Sequence, residues 1–404
     1  MTQIKFIHTS DLHVGFAANG RLNPITKLNT RLEDVMRSLD FLVETAIEED
    51  VRLVLISGDV FHRSNPTPAE QTEFALRMER LTGAGIEVVI ITGNHDFTLD
   101  GSGVSALEVI PALKHPRLTV VRLPVTLNRC GAQIACLPWI GGARLIARDE
   151  FKDLSPVARR AEIERRLAAI VRGLAENATL EAGPTVLMGH FAVAGSVAAG
   201  TEYTSLADTE PQIPLSALAD SRFAYVALGH IHRPQDLHGG INPPVVYAGS
   251  IERVDFTEEG QKKGFVLGEL FRGENRWTCR YRYVETPARR FITVDLGADG
   301  MPPEPPGDEI EGAIVRLRFN IETADQSLDE PELRKMYDRA FSVKIEKNYA
   351  YKDNKRVVRA EGILKGITPA SALGPYIEQH PELEPLRADM EARVSDILGQ
   401  KEAA

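Results

Sequence analysis

Apolar residues in this chain fall into short continuous runs, separated by longer segments of mixed polarity. The runs "KFIHTS" (residues 5–10), "VRLVLISGD" and "IEVVIITGNHD" are rich in β-branched and aliphatic residues. They are too short for helices and read as buried strands. Between them, over residues 28–49, the apolar positions Leu32, Val35, Met36, Leu39, Leu42, Val43 and Ala46 recur at helical spacing. A second helix is predicted over 68–81, with Thr67 as its N-cap. This β-α-β-α-β rhythm predicts an α/β fold with helices packed on the faces of a sheet.

The middle of the chain is richer in strands. "LTVVR" and "AQIACLPW" precede a charged helix around 156–176, and "TVLMGH", "FAYVALGH", "PVVYAGS" and "KGFVLGEL" then follow in quick succession. Their short connections predict a second sheet, so that the whole forms a two-sheet β-sandwich flanked by helices. A break comes near 273–278. Beyond it "CRYRYVE" and "RRFITVDL" read as strands of a new unit, interrupted by the Pro- and Gly-rich loop "GMPPEPPGDEIEG". "AIVRLRFN", a helix near 328–341 and "SVKIEKNY" complete a small α+β domain. After Thr368-Pro369, residues Leu373, Tyr376, Ile377, Met390, Val394 and Leu398 predict short helices without a core of their own. The expected domains are therefore 1–275, 276–365 and 366–404.

Composition narrows the picture only in part. A chain of 404 residues exceeds what one core organises, in keeping with two or three domains. No apolar run reaches the ~18 residues that span a bilayer, so no membrane association is expected. The opening "MTQIKFIHTSD" lacks a basic region followed by an apolar stretch, and the expected location is cytoplasmic. Cys130, Cys136 and Cys279 form no CxxC pair and are expected to be inert thiols. The net charge of −10 argues against a stand-alone nucleic-acid binder, because phosphate contacts need Lys and Arg. It is compatible with acidic side chains gathered around metal ions, or with a partner that supplies the basic groove.

The chemistry gathers at five strand ends: "SDLHVG" (Asp11, His13), "GDVFH" (Asp59, His62), "GNHD" (Asn94, His95, Asp96), "MGH" (His190) and "GHIH" (His230, His232). Strand C-termini in layered α/β folds share one rim, so these distant residues can meet. Asp, Asn and His are oxygen and nitrogen ligands suited to manganese, iron or zinc. The i, i+2 spacing of Asp11 with His13, and of His230 with His232, puts each pair on one face of an extended segment. Asp59 is the candidate bridging carboxylate between two ions. Two ions ~3.5–4 Å apart hold a hydroxide and clamp a phosphoryl oxygen for in-line attack. Burial alone does not explain seven such groups, because unpaired polar atoms there would cost several kcal/mol.

In this order, DxH, GD, GNHD, H and GHxH resemble the signature of the calcineurin-like metallophosphoesterases. The resemblance implies their two-sheet sandwich fold. It implies one ion on Asp11, His13, Asp59 and His232, and another on Asp59, Asn94, His190 and His230. It gives His95 the role of general acid or transition-state stabiliser, with Asp96 orienting it. Within that superfamily, "FIHTSDLHVG", "GDVFHRSNPTP", "GHFAVAGS" and above all "PVVYAGSIERVDFTEEGQKKGFVLGEL" are similar to the SbcD-type DNA double-strand-break repair nucleases. The match covers most of residues 1–295.

That narrower resemblance implies a nuclease subunit of an SbcCD-like complex. Its expected activities are 3′→5′ exonuclease on duplex ends and endonuclease on single strands or hairpins, with two manganese ions. It implies a capping domain that guides DNA, C-terminal helices that bind an SbcC-type coiled-coil ATPase, and a homodimer formed through the first two helices. Lys344, Lys347, Lys352, Lys355 and Arg356 make a basic stretch suited to phosphates. It is equally a solvated face balanced by Glu346, Asp353 and Glu361. His62 is implied as a DNA-handling residue, and otherwise reads as a loop histidine. The alternatives are a general metallophosphoesterase for small phosphodiesters, and a phosphoesterase-like binding scaffold.

Overall fold

The computed structural model describes residues 3–97, 105–141, 145, 154–179, 182–198, 211–323, 326–349, 373, 377 and 381–399. In chain order its strands begin with β1 (Gln3–Thr9), β2 (Leu53–Ser57), β3 (Glu87–Ile91), β4 (Leu118–Val121), β5 (Val125–Arg129) and β6 (Ala132–Leu137). They continue with β7 (Thr185–His190), β8 (Ala192–Val193), β9 (Gln212–Ile213), β10 (Tyr225–Gly229), β11 (Gln235–Asp236) and β12 (Val245–Tyr247). The last are β13 (Gly264–Arg272), β14 (Trp277–Glu285), β15 (Phe291–Asp295), β16 (Ile314–Ile321) and β17 (Ser342–Tyr349).

Two six-stranded sheets dominate, ordered β14-β13-β1-β2-β3-β4 and β11-β12-β10-β7-β6-β5. β1 to β4 are mutually parallel, and so are β6, β7, β10 and β12. The inner faces meet in one core, where Phe6, Leu55 and Val89 of the first sheet join Ile134, Met188, Tyr225 and Val246 of the second. Within it His8 Nδ1 and the Tyr225 hydroxyl hydrogen-bond at 3.0 Å. The outer face of the first sheet is covered by α1 (Thr30–Glu48) and α2 (Pro68–Gly83). The outer face of the second is covered by the helix Pro156–Glu176. The sandwich flanked by helices is thus observed as the sequence predicts.

The helix ends follow from local chemistry. Asn29 caps α1 by accepting from the Arg31 N–H. Thr67 caps α2 in a capping box with Glu70. Two strands depart from expectation. β13, read as part of the second sheet, pairs antiparallel with β1 in the first. β14, read as opening a new unit, pairs with β13 over nine residues, Trp277 to Glu285. Its alternating exposure, half-buried or exposed between Cys279 and Val284, is that of an edge strand with one wet face.

The described residues fall into two compact units. The first contains residues 1–294, 305–316 and 334–344. It holds both large sheets and a small cluster of Phe256, Phe291, Ile314 and Phe341. It also buries a charged network. Arg31 pairs with Asp34 and donates to the Arg253 carbonyl at 2.6 Å, and Arg289 pairs with Asp34 at 2.6 Å. The second unit contains 295–304, 317–333 and the residues from 345 onward. It buries Leu317, Phe319, Ile321 and Leu333, and pairs Arg318 with Asp295. Among the described residues no helix is long and apolar enough to cross a membrane.

Candidate metal centre

Each candidate ligand stands where an apolar strand stops. β1, β2 and β3 deliver Asp11, Asp59 and Asn94 to one end of their sheet, and β7 and β10 deliver His190 and His230 to the corresponding end of theirs. The loops after β1 and β2 are tied by backbone bonds. Asp11 N–H donates to the Gly58 carbonyl, His13 N–H to Asp59, and His62 N–H to Val14, at 3.0–3.1 Å. The turns are tight enough that Asp11, His13, Asp59 and His230 all adopt positive φ, at 51°, 45°, 51° and 100°. Non-glycine residues rarely do so, and such strain gathers at functional sites. Gly93 is needed for room, because a Cβ there would lie 2.1 Å from Asp59 Oδ1.

The side chains gather in two groups with Asp59 between them. In the first, His13 Nε2 and His232 Nε2 face each other at 2.9 Å. Donor atoms of Asp11, His13 and His232 all lie within 4.8 Å of one another. His232 Nδ1 donates to Glu258 Oε1 at 2.6 Å, which leaves Nε2 as a lone pair aimed inward. In the second, His190 Nδ1 donates to the Ser57 carbonyl at 2.8 Å. Its Nε2 then points at Asn94 Oδ1 (3.0 Å) and Asp59 Oδ2 (3.4 Å). His230 Nδ1 lies 3.3 Å from the same Asn94 oxygen. Asp59 Oδ2 is also 3.8 Å from His13 Nε2, so this carboxylate faces both groups. Asp11 is held by Ser10 Oγ at 2.6 Å and by the His230 N–H at 3.0 and 3.1 Å.

This donor set fits divalent cations. Lone pairs of nitrogen and oxygen converge at hydrogen-bonding distance with too few protons among them, an arrangement that a cation between them satisfies. The electrostatics agree. Burial would raise the Asp59 pKa, yet the histidines around it, His190 foremost, hold it far below the usual carboxylate range. Burial would lower the His190 pKa, yet Asp59 pushes it up to about 9. His13 is driven well below the usual range by burial and then by His232. Positive charge is thus welcomed beside Asp59, while adjacent imidazoles oppose one another's protons.

His95 and His62 lie beside the first group, and their ring nitrogens come within 4.8 Å of His13. His95 is exposed, donates from Nδ1 to the His62 carbonyl at 3.0 Å and stacks on the His62 ring. His62 is half-buried, and burial followed by His95 lowers its pKa to about 4, so it is neutral near pH 7. Asp96 does not reach the His95 ring as expected. It is buried and accepts from the backbone N–H groups of Gly93 (2.8 Å) and Phe61 (3.2 Å). It shapes the loop, and the His62 carbonyl orients His95. Of the basic stretch, Lys347 pairs with Glu330 at 2.7 Å and Lys344 is exposed. Lys352, Lys355 and Arg356 lie outside the described residues, as does most of 366–380.

Sequence reasoning missed Glu258 and Lys263. Both are buried, and Lys263 Nζ pairs with Glu258 Oε2 at 3.0 Å. Their signal was present, since both fall inside "GSIERVDFTEEGQKKGF", but a turn rich in Glu and Lys looks like solvated surface.

A family model described as calcineurin-like phosphoesterase matches residues 4–234. Among solved structures, a dimetal phosphatase from Danio rerio is similar at 12% identity and a TM-score of 0.40. The match covers 70% of this chain and 98% of that one. TT1561 of Thermus thermophilus is similar at 14% identity and a TM-score of 0.37, with the same two coverages. A putative 5′-nucleotidase from Staphylococcus aureus matches at 9% identity and a TM-score of 0.38, over 70% of this chain and 54% of that one.

Proposed function

Because the chain belongs to the calcineurin-like phosphoesterase family and is a dinuclear-metal phosphoesterase, we propose that its substrate is DNA and that it acts as an SbcD-type nuclease subunit. The observation that carries this reading is the position of "GSIERVDFTEEGQKKGF", the stretch most similar to those nucleases. It is not a surface insertion. Its Glu258 hydrogen-bonds a candidate metal ligand, and its Lys263 is buried against that glutamate.

In this reading Asp11, His13, Asp59 and His232 would hold one manganese ion, and Asp59, Asn94, His190 and His230 would hold the other. Bound, the ions would supply a hydroxide nucleophile at neutral pH and neutralise charge on the phosphoryl oxygens. The remaining work falls to the chain. Ser10 and the His230 N–H hold the Asp11 carboxylate in place, and the Ser57 carbonyl fixes the tautomer of His190. His95, held by the His62 carbonyl and open to solvent, delivers a proton toward the leaving oxygen. His62, stacked beside it, positions the DNA strand. The α1–α2 face forms a homodimer. The 276–365 segment guides DNA through Lys344, Lys347, Lys352, Lys355 and Arg356, and residues 366–404 bind an SbcC-type ATPase.

The test is a manganese-dependent cleavage assay on blunt duplex and hairpin DNA, run beside small phosphodiesters and nucleotides. Metal-dependent shortening of duplex 3′ ends and nicking of hairpins is the expected result. Turnover of small esters with intact DNA would assign the chain to general phosphoester hydrolysis instead. Metal binding without any hydrolysis would make it a scaffold.

A further inference from the structure

Behind His232, a ligand in the reading above, Glu258, Lys263 and Ser250 form a buried chain to which no role has been assigned. His232, Glu258 and Lys263 expose 4%, 1% and 2% of their surface. The Lys263 ammonium touches three acceptors: Glu258 Oε2 at 3.0 Å, Ser250 Oγ at 2.9 Å and the His232 carbonyl at 3.2 Å. The Glu258 carboxylate is held from three directions. One oxygen accepts from His232 Nδ1, and the other accepts from the Val254 N–H at 2.8 Å besides pairing with Lys263.

A buried carboxylate and ammonium are expensive to desolvate, and an apolar pair of similar volume is often at least as stable. Stability alone therefore explains them poorly. His190, on the other side of the site, leans instead on a neutral backbone carbonyl, that of Ser57. A carboxylate behind a histidine raises the basicity of its other nitrogen more than a neutral acceptor does.

We propose that Glu258 is a positioning residue that sets the affinity of the His232-side metal ion, with Lys263 holding the carboxylate and moderating its charge. The proposal rests on His232 being a ligand in the dinuclear site. It makes the two ions unequal, since the His232 side is tied to a tunable charge pair and His190 to a fixed carbonyl. It also gives opposite signs to two substitutions. Glu258→Gln keeps shape and an acceptor for Nδ1 but leaves the Lys263 ammonium without its carboxylate counter-charge behind the ligand. Lys263→Met leaves the carboxylate uncompensated, which favours a cation.

The experiment is calorimetric titration of manganese into the apo full-length protein, comparing wild type, His232→Ala, Glu258→Gln and Lys263→Met. Wild type is expected to bind two ions, and His232→Ala to lose tight binding of one. Glu258→Gln should weaken that one ion by about 10–100-fold and leave the other unchanged. Lys263→Met should bind it at least as tightly as wild type. If wild type binds no metal, or His232→Ala binds both ions normally, the ligand reading itself fails. If those two behave as expected while Glu258→Gln matches wild type, or while both charge variants weaken both ions equally, the positioning role is overturned. Should the charge variants not fold, ¹⁵N-histidine spectra of the zinc-loaded wild type decide. A strongly deshielded Nδ1 proton that disappears in His232→Ala supports the role, and its absence overturns it.

Discussion

The two halves of the candidate metal centre offer similar ligands but are supported in different ways. On one side, His190 is anchored by the Ser57 carbonyl at the end of β2, and Asn94 completes the group from the β3 loop. This anchor is backbone and neutral. On the other side, His13 and His232 face each other, and His232 rests on a buried carboxylate that rests on a buried ammonium. The neutral side is set once by the sheet geometry. The charged side can be shifted by one substitution distant from the reacting atoms. Similar first ligands therefore do not imply equal ions.

Asp59 faces both halves, so Asp59→Ala should remove both ions and reduce hydrolysis of a phosphodiester by about 10³-fold or more. Metal analysis of the purified variant beside its turnover number checks this, and an active variant with two ions removes Asp59 from the bridging position. His190→Ala and His232→Ala should each leave one ion, on opposite sides. Equal loss of both ions in either variant would mean that the halves bind as one unit. His95→Ala should lower turnover by about 10²–10⁴-fold with both ions retained. Loss of metal in that variant would make His95 a ligand.

The smallest effect is a control that touches neither half. His8 is buried between the sheets, and burial lowers its pKa to about 3 from an ordinary 6.5. The unfolded chain therefore takes up a proton between those values and the folded chain does not. His8 contributes stability that is full above about pH 6.5 and is lost as pH falls toward 3, at up to about 1.4 kcal/mol per pH unit. His8→Gln should flatten that slope in denaturant titrations of the apo protein at pH 7, 6 and 5. An unchanged slope would place the acid sensitivity elsewhere, among groups such as Asp34.

The gathering of the candidate ligands was legible in the sequence because they punctuate the strands. Asp11, Asp59, Asn94, His190 and His230 each follow an apolar run, and parallel strands bring such ends to one rim. The two sheets and their outer helices were legible for the same reason, since each run has the length and branching of a buried strand. What escaped was encoded in tertiary contact. Glu258 and Lys263 sit in a short charged turn, and nothing local says that the turn folds inward onto His232. Asp96 was given the role of orienting His95 by the family resemblance alone. Consecutive side chains point different ways, and its carboxylate turns to the amides of Gly93 and Phe61. β14 was misassigned because its polar positions look like the start of a new unit, when they are the wet face of a sheet edge.

In the reading proposed above, two ions sit in two unequal halves joined by Asp59. Anomalous diffraction from crystals of the full-length protein grown with manganese tests it most directly. Two peaks are expected, one against Asp11, His13 and His232 and one against Asn94, His190 and His230, with Asp59 touching both. A single peak, or a peak held by His13, His62 and His95 instead, would contradict it.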